Sequence, residues 1–455
     1  MAKKTDTTSK SQPRLNWGKN YPRFPDLDFI SIHKESYQKF LNEGIGNLIS
    51  EINPISDFTG KNWELTLGKY SFGTPKYDIA TALVKGVTLD CPIRVQATLL
   101  NKKTGETTTQ EVFFGEVPVM TPAGTFIING IERVVIHQLV RSAGVYFLGD
   151  VDPVTGRILY FAEIRPLRGS WLEFNINRAN VVSVRIDRRR KFPITTFLRA
   201  IGLGSNEEIE KALGSSEFLE ATFKKDPTRG SAEGALEIYK KMRPGEPVVL
   251  ETALDYISSL FFQPRRYNLG KVGRHKINKR LGLDIPNLPE NQVITRGDIL
   301  ATVKYLLRLQ KGDPQTYTDD IDNLGNRRLR SVGELVGNIA FRDGLLRLER
   351  AIKERMSLLD PKTKVMPNQV VNARPIISAV NEFFRTSQLS AILDQTNPLS
   401  EVSTLRKVTV MGVGGIARDR ASFSIRDINS SQYSRICPVQ SPEGPNIGLV
   451  TFMSL

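Results

Sequence analysis

Apolar positions between Asp26 and Ile49 recur at helical spacing: Ile30, Tyr37, Phe40, Leu41, Ile45 and Leu48. This predicts a helix there. From Trp63 to Gln138 the pattern changes to strands. Residues 93–99 (IRVQATL) and 111–114 (EVFF) read as two of them, with a hairpin turn at Lys103-Thr104-Gly105. Phe126-Ile127-Ile128 runs into Asn129-Gly130, a pair that favours a tight turn because both residues tolerate positive φ. Residues 157–187 alternate. Leu172, Phe174 and Ile176 fall on one face, Glu173, Asn175 and Asn177 on the other. Val182, Val184 and Ile186 repeat the alternation after Arg178-Ala179-Asn180, which predicts a half-buried antiparallel hairpin. The hairpin ends in Arg188-Arg189-Arg190-Lys191, and helices follow.

Ser205 with Glu208 has the spacing of a capping box, and Gly214 offers a stop. Ser331 with Glu334 has the same spacing and opens a helical stretch through Met356, although Gly337 and Gly344 weaken its continuity. Pro375 suits the first turn of a further helix with Ile376, Ile377, Val380, Phe383 and Phe384 on one face. Residues 1–19 are polar and read as a flexible tail. There is no internal repeat.

The segment from Phe383 to Val450 has a different character. Its apolar runs are short, and Asn397-Pro398, Gly414-Gly415, Ser441-Pro442 and Gly444-Pro445 punctuate it as turns. Such a stretch cannot satisfy its own backbone polar groups internally, so it belongs on a surface or along a cleft. Arg385, Arg406, Lys407, Arg418, Arg420, Arg426 and Arg435 recur through it. Spaced guanidinium groups suit a wall that faces phosphates. Charge alone fits a solvated surface loop better.

The net charge of +15 over 455 residues points to polyanionic partners, nucleic acid above all. A hydrophobic fraction of 40% is enough to build cores, and the length accommodates about three domains. Cys91 and Cys437 give no disulfide framework, and His33, His137 and His275 show no metal-ligand spacing. No apolar run reaches membrane-spanning length, and the amino terminus lacks the apolar stretch of a signal peptide. A cytoplasmic setting is expected.

The order of residues adds a family. The strings SQLSAILDQTNPLSE, GVGGIARDRASF and RICPVQSPEGPNIGL closely resemble the second-largest (β) subunit of bacterial DNA-directed RNA polymerase, in its rifamycin region and fork. So do MTPAGTFIINGIERVVIHQLVRSAGVYF, DPTRGSAEGALEIYKKMRPGEP and SLFFQPRRYNLGKVGRHKINKRLGL in its protrusion and lobe. The resemblance covers nearly everything from about residue 20 onward. It implies a mixed, multidomain α+β fold of antiparallel sheets with packed helices, followed by a loop-rich fork. It places the protrusion at residues 20–140 and 363–395, the lobe at 141–362 and the start of the fork at 396–455. In the family the chain continues far beyond Leu455, so this sequence is expected to be the N-terminal part of a longer subunit.

The function so implied is DNA-directed RNA synthesis, a nucleotidyl transfer carried out only in assembly. No catalytic residue, cofactor or metal is expected on this chain. Mg²⁺ would be bound by the partner largest (beta prime) subunit. The α dimer, ω, a σ factor, DNA and nascent RNA complete the implied partners, at the nucleoid and away from membrane. The alternative is a stand-alone basic nucleic-acid-binding protein without a catalytic role.

The candidate residues follow. Asp319, Asp320 and Asp322 form the densest acidic cluster, and metal binding is one reading of it. Neutralisation by Arg327, Arg328 and Arg330 is the better one. The resemblance sets Trp171, Asp187, Asp322 and Arg327 against the non-template DNA strand. An indole stacks on an unpaired base, an arginine pairs with phosphate or a base edge, and an aspartate accepts from a base amino group. For Trp171 a packing aromatic is an equal reading. Gly414-Gly415 lacks the Gly-Lys-Ser/Thr ending of a phosphate-binding loop. In the family it is fork loop two, where a mobile glycine hinge bearing Arg418 and Arg420 would separate strands. Arg274, His275, Lys276, Lys279 and Arg280 form a basic run, which solvation or contact with duplex backbone explains equally.

The last group concerns the antibiotic region. Family members that bind rifamycins typically show Gln-Phe-Met-Asp where this chain has Ala391-Ile392-Leu393-Asp394. They show Thr-His-Lys-Arg-Arg where it has Ser403-Thr404-Leu405-Arg406-Lys407, and Ser at Thr409. Asp394 and Arg406 keep their types. Ala391 and Thr404 lose an amide and an imidazole, and Thr409 gains a methyl group.

Overall fold

The computed structural model describes residues 28–360, 363 and 365–454. The expected tail at 1–19 lies outside them. Three main hydrophobic cores organise an α+β architecture. The first gathers Phe40, Trp63, Phe114, Phe126, Phe341 and Phe384. It lies against an antiparallel sheet of Ile55–Ser56, Trp63–Phe72, Asp90–Asn101 and Thr107–Pro118, in that order. The expected hairpin at Lys103-Thr104-Gly105 joins the two long strands, which extend further than the alternation predicts. A short helix, Ile79–Lys85, falls within the stretch read as strands only. Asp78 caps its first turn by accepting from the Thr81 N–H, and Gly86 closes it in the left-handed conformation.

The helix expected over 26–49 is observed as Ser31–Lys39, a π-helical turn Phe40–Gly44, and Ile45–Ile52. A second π turn, Val336–Phe341, links Val332–Leu335 to Arg342–Leu358. The two meet at close range. A Cβ on Gly333 would stand 2.0 Å from the Ser36 carbonyl oxygen, so only glycine fits. The capping box expected of Ser331 and Glu334 does not form. Ser331 Oγ is taken by Ser36 Oγ at 2.5 Å, and Glu334 is drawn to Arg328. Gly337 and Gly344 do not interrupt the helical path. The face of Arg342–Leu358 that carries Leu345, Leu348 and Ile352 joins the first core. This helix lies within 141–362, the range that the resemblance gives to the lobe. Pro375 sits in the first turn of Arg374–Thr386, as expected, and Ile376, Val380, Phe383 and Phe384 are buried.

The second core has a five-stranded antiparallel sheet. Its order is Arg190–Pro193, Val182–Ile186, Leu172–Ile176, Ile158–Arg165 and Gly144–Val151. The predicted hairpin is its centre. The arginine-rich end of that hairpin does not lead straight into helix; it turns back as a further strand, Arg190–Pro193. Nor is the polar face fully solvated. Glu173 and Ser183 are buried there, and Glu173 accepts from Arg188 at 2.7 Å. Helices cover the other face. Among them Asn206–Leu213 carries the expected capping box of Ser205 and Glu208, and Gly214 ends it. Residues from Val145 to Leu309 fill this core.

A mixed four-stranded sheet forms the third unit: Arg327–Arg330, His137–Arg141, Lys407–Thr409 and Val450–Phe452. His137–Arg141 pairs antiparallel with Arg327–Arg330 and parallel with Lys407–Thr409. Just before it, Ile131–Val135 belongs to another sheet, between Ser390–Ile392 and Phe126–Ile128. Asn129 and Gly130 turn that hairpin with φ of 52° and 77°. Among the described residues no helix is long and apolar enough to cross a membrane.

Candidate nucleic-acid interface

Trp171, Asp322, Arg327 and Arg420 line one cavity of about 380 Å³. They arrive from four places: the loop before Leu172–Ile176, the loop before Arg327–Arg330, the start of that strand, and the turn Arg418–Arg420. Asp187 supports the cavity from behind. Its N–H donates to the Trp171 carbonyl at 3.0 Å, and its Oδ1 accepts from the Trp171 N–H at 2.8 Å. The reciprocal clip requires a sharp turn. Asp187 and Arg188 both adopt left-handed φ, 49° and 57°, uncommon for consecutive residues other than glycine. Arg418 is exposed and faces away, into a larger cavity of about 1060 Å³ shared with Arg347 and Glu382.

The cavity is strongly cationic. Arg141, Arg165 and Arg188 line it together with Arg327 and Arg420, and Asp322 is the carboxylate that opposes them. The Arg165 guanidinium lies 4.3 Å from the Trp171 ring centroid and that of Arg188 lies 5.3 Å away. Cations at this range are attracted by the face of an indole. Burial pushes the Asp322 carboxyl above its ordinary value against the pull of Arg327. Burial also lowers Arg327, while Asp322 and Asp320 support its charge. Sequence reasoning missed Arg141, Arg165 and Arg188. The signal was present: Glu163 and Arg165 are two apart on a strand, hence on one face, and Arg188 opens the arginine run.

The loop bearing Arg420 rests on Gly414-Gly415. The second glycine of this pair packs closely against the preceding turn. A Cβ on Gly415 would come within 2.3 Å of the Val410 carbonyl oxygen. The buried Gln138 donates to the carbonyls of Met411 and Val413, each at 3.0 Å.

The acidic cluster has other partners than a metal. Asp319 accepts from the Phe147 N–H at 2.8 Å and from Arg280 at 3.2 Å, and Asp320 accepts from Asn429 at 2.9 Å. Arg328 and Arg330 turn to Glu334 rather than to these acids. Among the described residues no group of three or more His, Cys, Asp or Glu side chains is gathered to hold a metal ion. The basic run at 274–280 is divided: His275 and Lys279 are exposed, while Arg274, Lys276 and Arg280 have partners within the protein. Arg274 is fully buried on Asp298, Lys276 donates to Ser142 and Gly325, and Arg280 stacks 3.6 Å from the Tyr317 ring centroid.

The antibiotic-region residues are spread over several environments. Ala391 is on Ser390–Ile392, opposite Val134. Asp394 is exposed and accepts from the Thr396 N–H at 3.1 Å. Thr404 is buried and donates to the Ser400 carbonyl at 2.8 Å. Thr409 is buried and accepts from the Met411 N–H at 3.1 Å. Arg406 donates to the Phe29 carbonyl at 2.9 Å and lines a cavity of about 270 Å³ with Ser403 and Gln440.

An indole among guanidinium groups, walled by a glycine-turned loop, is chemistry suited to a nucleic-acid ligand. The comparisons narrow this class. The family model described as RNA polymerase Rpb2, domain 2, matches residues 141–330, and that described as RNA polymerase Rpb2, domain 3, matches residues 391–455. The chain is 48% identical over 427 residues to the DNA-directed RNA polymerase subunit beta of Syntrophomonas wolfei subsp. wolfei, covering 94% of this chain and 38% of that protein. It is 45% identical over 459 residues to the same subunit of Chloroflexus aggregans, covering 93% of this chain and 37% of that protein. The chain belongs to the family of second-largest RNA polymerase subunits. It spans well under half the length of the curated relatives it matches.

Proposed function

We propose that this chain serves DNA-directed RNA synthesis as part of a second-largest polymerase subunit, walling the DNA cleft and contacting the unpaired non-template strand. The observation that carries this reading is the single cavity lined by Trp171, Asp322, Arg327 and Arg420, with Asp187 clipped behind the indole. In it Trp171 stacks on an unpaired base, Asp322 accepts from a base amino group, and Arg327 and Arg420 meet phosphate or base edges. Arg418 meets the strand from the other side of the fork turn. Ala391, Asp394, Thr404, Arg406 and Thr409 form the antibiotic region of the same subunit.

In this reading residues 20–140 and 363–395 form the protrusion, the stretch from 141 the lobe, and 396–455 the beginning of the fork. The helix Arg342–Leu358 goes with the protrusion, because its buried face joins the first core. The nucleotidyl-transfer chemistry needs Mg²⁺, which supplies Lewis-acid stabilisation of the transferring phosphate. The carboxylates of Asp319 and Asp320 do not fit it, being engaged by Arg280, Asn429 and backbone N–H groups. The family resemblance assigns Mg²⁺ to the partner largest subunit. The α dimer, ω, σ, DNA and nascent RNA are the further partners, in the cytoplasm at the nucleoid.

The test compares a DNA bubble with intact duplex. Stacking on an aromatic side chain contributes about 1–3 kcal/mol per base, about 5- to 150-fold in affinity. Trp171→Ala and Arg327→Ala are expected to weaken bubble binding by that order and duplex binding much less. Equal losses on both would mean plain backbone contacts. Co-purification with a larger catalytic subunit separates this reading from a stand-alone nucleic-acid-binding protein.

A further inference from the structure

One buried carboxylate lies under the Trp171 cavity and has no part in the reading above. Glu163 is on the strand Ile158–Arg165, with its side chain only 8% exposed. Its Oε2 accepts from Arg141 Nη1 at 2.5 Å and from Arg165 Nε at 2.9 Å. Its Oε1 stands 3.6 Å from Arg188 Nη2. The three arginines come from three different elements: the end of His137–Arg141, the strand of Glu163 itself, and the left-handed turn after Val182–Ile186. Glu173 fixes the other edge of Arg188 through its Nε at 2.7 Å.

Three guanidinium groups so close repel one another, and long arginine side chains lose conformational freedom when held. A shared anion offsets both. Burial alone would raise the Glu163 carboxyl, yet Arg165 and Arg141 hold it below its ordinary value, so it remains ionised. Two of the arginines it gathers are those that meet the Trp171 ring.

We propose that Glu163 is a positioning residue that holds Arg141, Arg165 and Arg188 as an anion-binding edge beside Trp171. The cavity then takes one unpaired nucleotide, its base at the indole and its phosphate at the guanidinium edge. This deepens the reading of the cavity given above and rests on it. A carboxylate that acted only through its charge would oppose DNA. One that positions arginines supports binding in spite of its charge. The two roles have opposite signs.

The experiment uses the full 455-residue chain and a fluorescent DNA bubble, with matched duplex as reference. Glu163→Gln is expected to bind the bubble at least about fivefold more weakly, the loss of roughly one stacked contact, while duplex binding is unchanged or tighter. Acrylamide quenching of Trp171 should rise in this variant as Arg165 leaves the ring. Glu163→Asp keeps the charge but shortens the reach, and should fall between wild type and Glu163→Gln. Arg165→Lys keeps the charge but loses the planar stack and the Nε bond. It should reproduce the bubble-specific loss, and it carries the test if Glu163→Gln does not fold. Tighter or unchanged bubble binding by Glu163→Gln overturns the proposal, as does a Glu163→Asp variant that matches wild type. If Trp171→Ala leaves bubble preference intact, the cavity reading itself falls, which is a separate outcome.

Discussion

Replacing Arg274 by methionine is the sharpest test of how the second core is held. Neither Arg274 nor Asp298 exposes any of its side chain. Arg274 Nη1 reaches both carboxylate oxygens of Asp298, at 2.8 and 2.9 Å. Its Nε and Nη2 donate to the carbonyls of Asn291 and Val293 at 2.6 and 2.5 Å. Methionine fills much of the stem's volume but none of these bonds. A carboxylate and two carbonyls are then buried without their donor. Asp298 keeps one partner, the Thr295 N–H at 2.8 Å, which limits the damage. Breaking a buried pair from one side costs about 3–5 kcal/mol. Against a typical stability of about 5–15 kcal/mol for a domain, that is a large share. The assay is urea unfolding followed through Trp171, beside the second core, with Trp17 and Trp63 replaced by phenylalanine. Arg274→Met should move the midpoint to much lower urea. Adding Asp298→Leu should recover part of the loss, because no isolated charge remains. A loss below about 1 kcal/mol would refute the reasoning, since it would mean that the site relaxes or admits water at little cost.

An assembled polymerase containing this chain is expected to resist rifamycins. Ala391 has no amide to offer, and the Thr404 hydroxyl already donates to the Ser400 carbonyl. Two lost hydrogen bonds of about 1–3 kcal/mol each weaken binding about thirtyfold or more. Transcription assays with rising drug check this, and Ala391→Gln with Thr404→His should restore sensitivity. Gly415→Ala should loosen the fork turn, because its Cβ would meet the Val410 carbonyl at 2.3 Å and Gln138 Nε2 at 2.9 Å. Limited proteolysis between residues 412 and 420 should then become faster; an unchanged cleavage rate would count against that packing. Acid should destabilise the fold through the buried His33 and His137, whose facing nitrogens are 3.3 Å apart. Burial lowers His33 to about 3 and His137 to about 4, from an ordinary 6.5. The unfolded chain therefore takes up protons first, so the stability is fully present above about pH 6.5 and is lost as pH falls towards 4. His33→Gln should flatten that slope in unfolding measurements across the interval.

Local patterns read well where local physics decided them. The Asn129-Gly130 turn, the capping box at Ser205 and the proline start of Arg374–Thr386 each depend on a few adjacent residues, and each is present. The Ser331 cap failed because a residue nearly three hundred positions away, Ser36, competes for its hydroxyl. The strand Arg190–Pro193 was hidden because its charged residues mask an edge pairing with Val182–Ile186. At the cavity the order of residues supplied Trp171, Asp322 and Arg327, but not what surrounds them. Arg141, Arg165 and Arg188 meet only through the sheet register, which sets Arg327 opposite Arg141 and Glu173 opposite Glu163. The basic run at 274–280 stayed undecided between solvation and duplex contact for the converse reason. Charge in a sequence carries no label for inside or outside until Asp298 and Tyr317 arrive to receive it.

The two strands Ile131–Val135 and His137–Arg141 are separated by Ile136 alone, whose N–H is bonded to the Leu389 carbonyl at 2.8 Å. Together they carry one extended stretch of backbone from one sheet into the next. Ala391 is laced to its first half, and Arg327 and Thr409 to its second. Its far tip is Arg141, inside the Trp171 cavity. The strand path that pairs with Ala391 at Val134 runs on into Arg141 of the Trp171 cavity, so a substitution at Ala391 is expected to alter binding there.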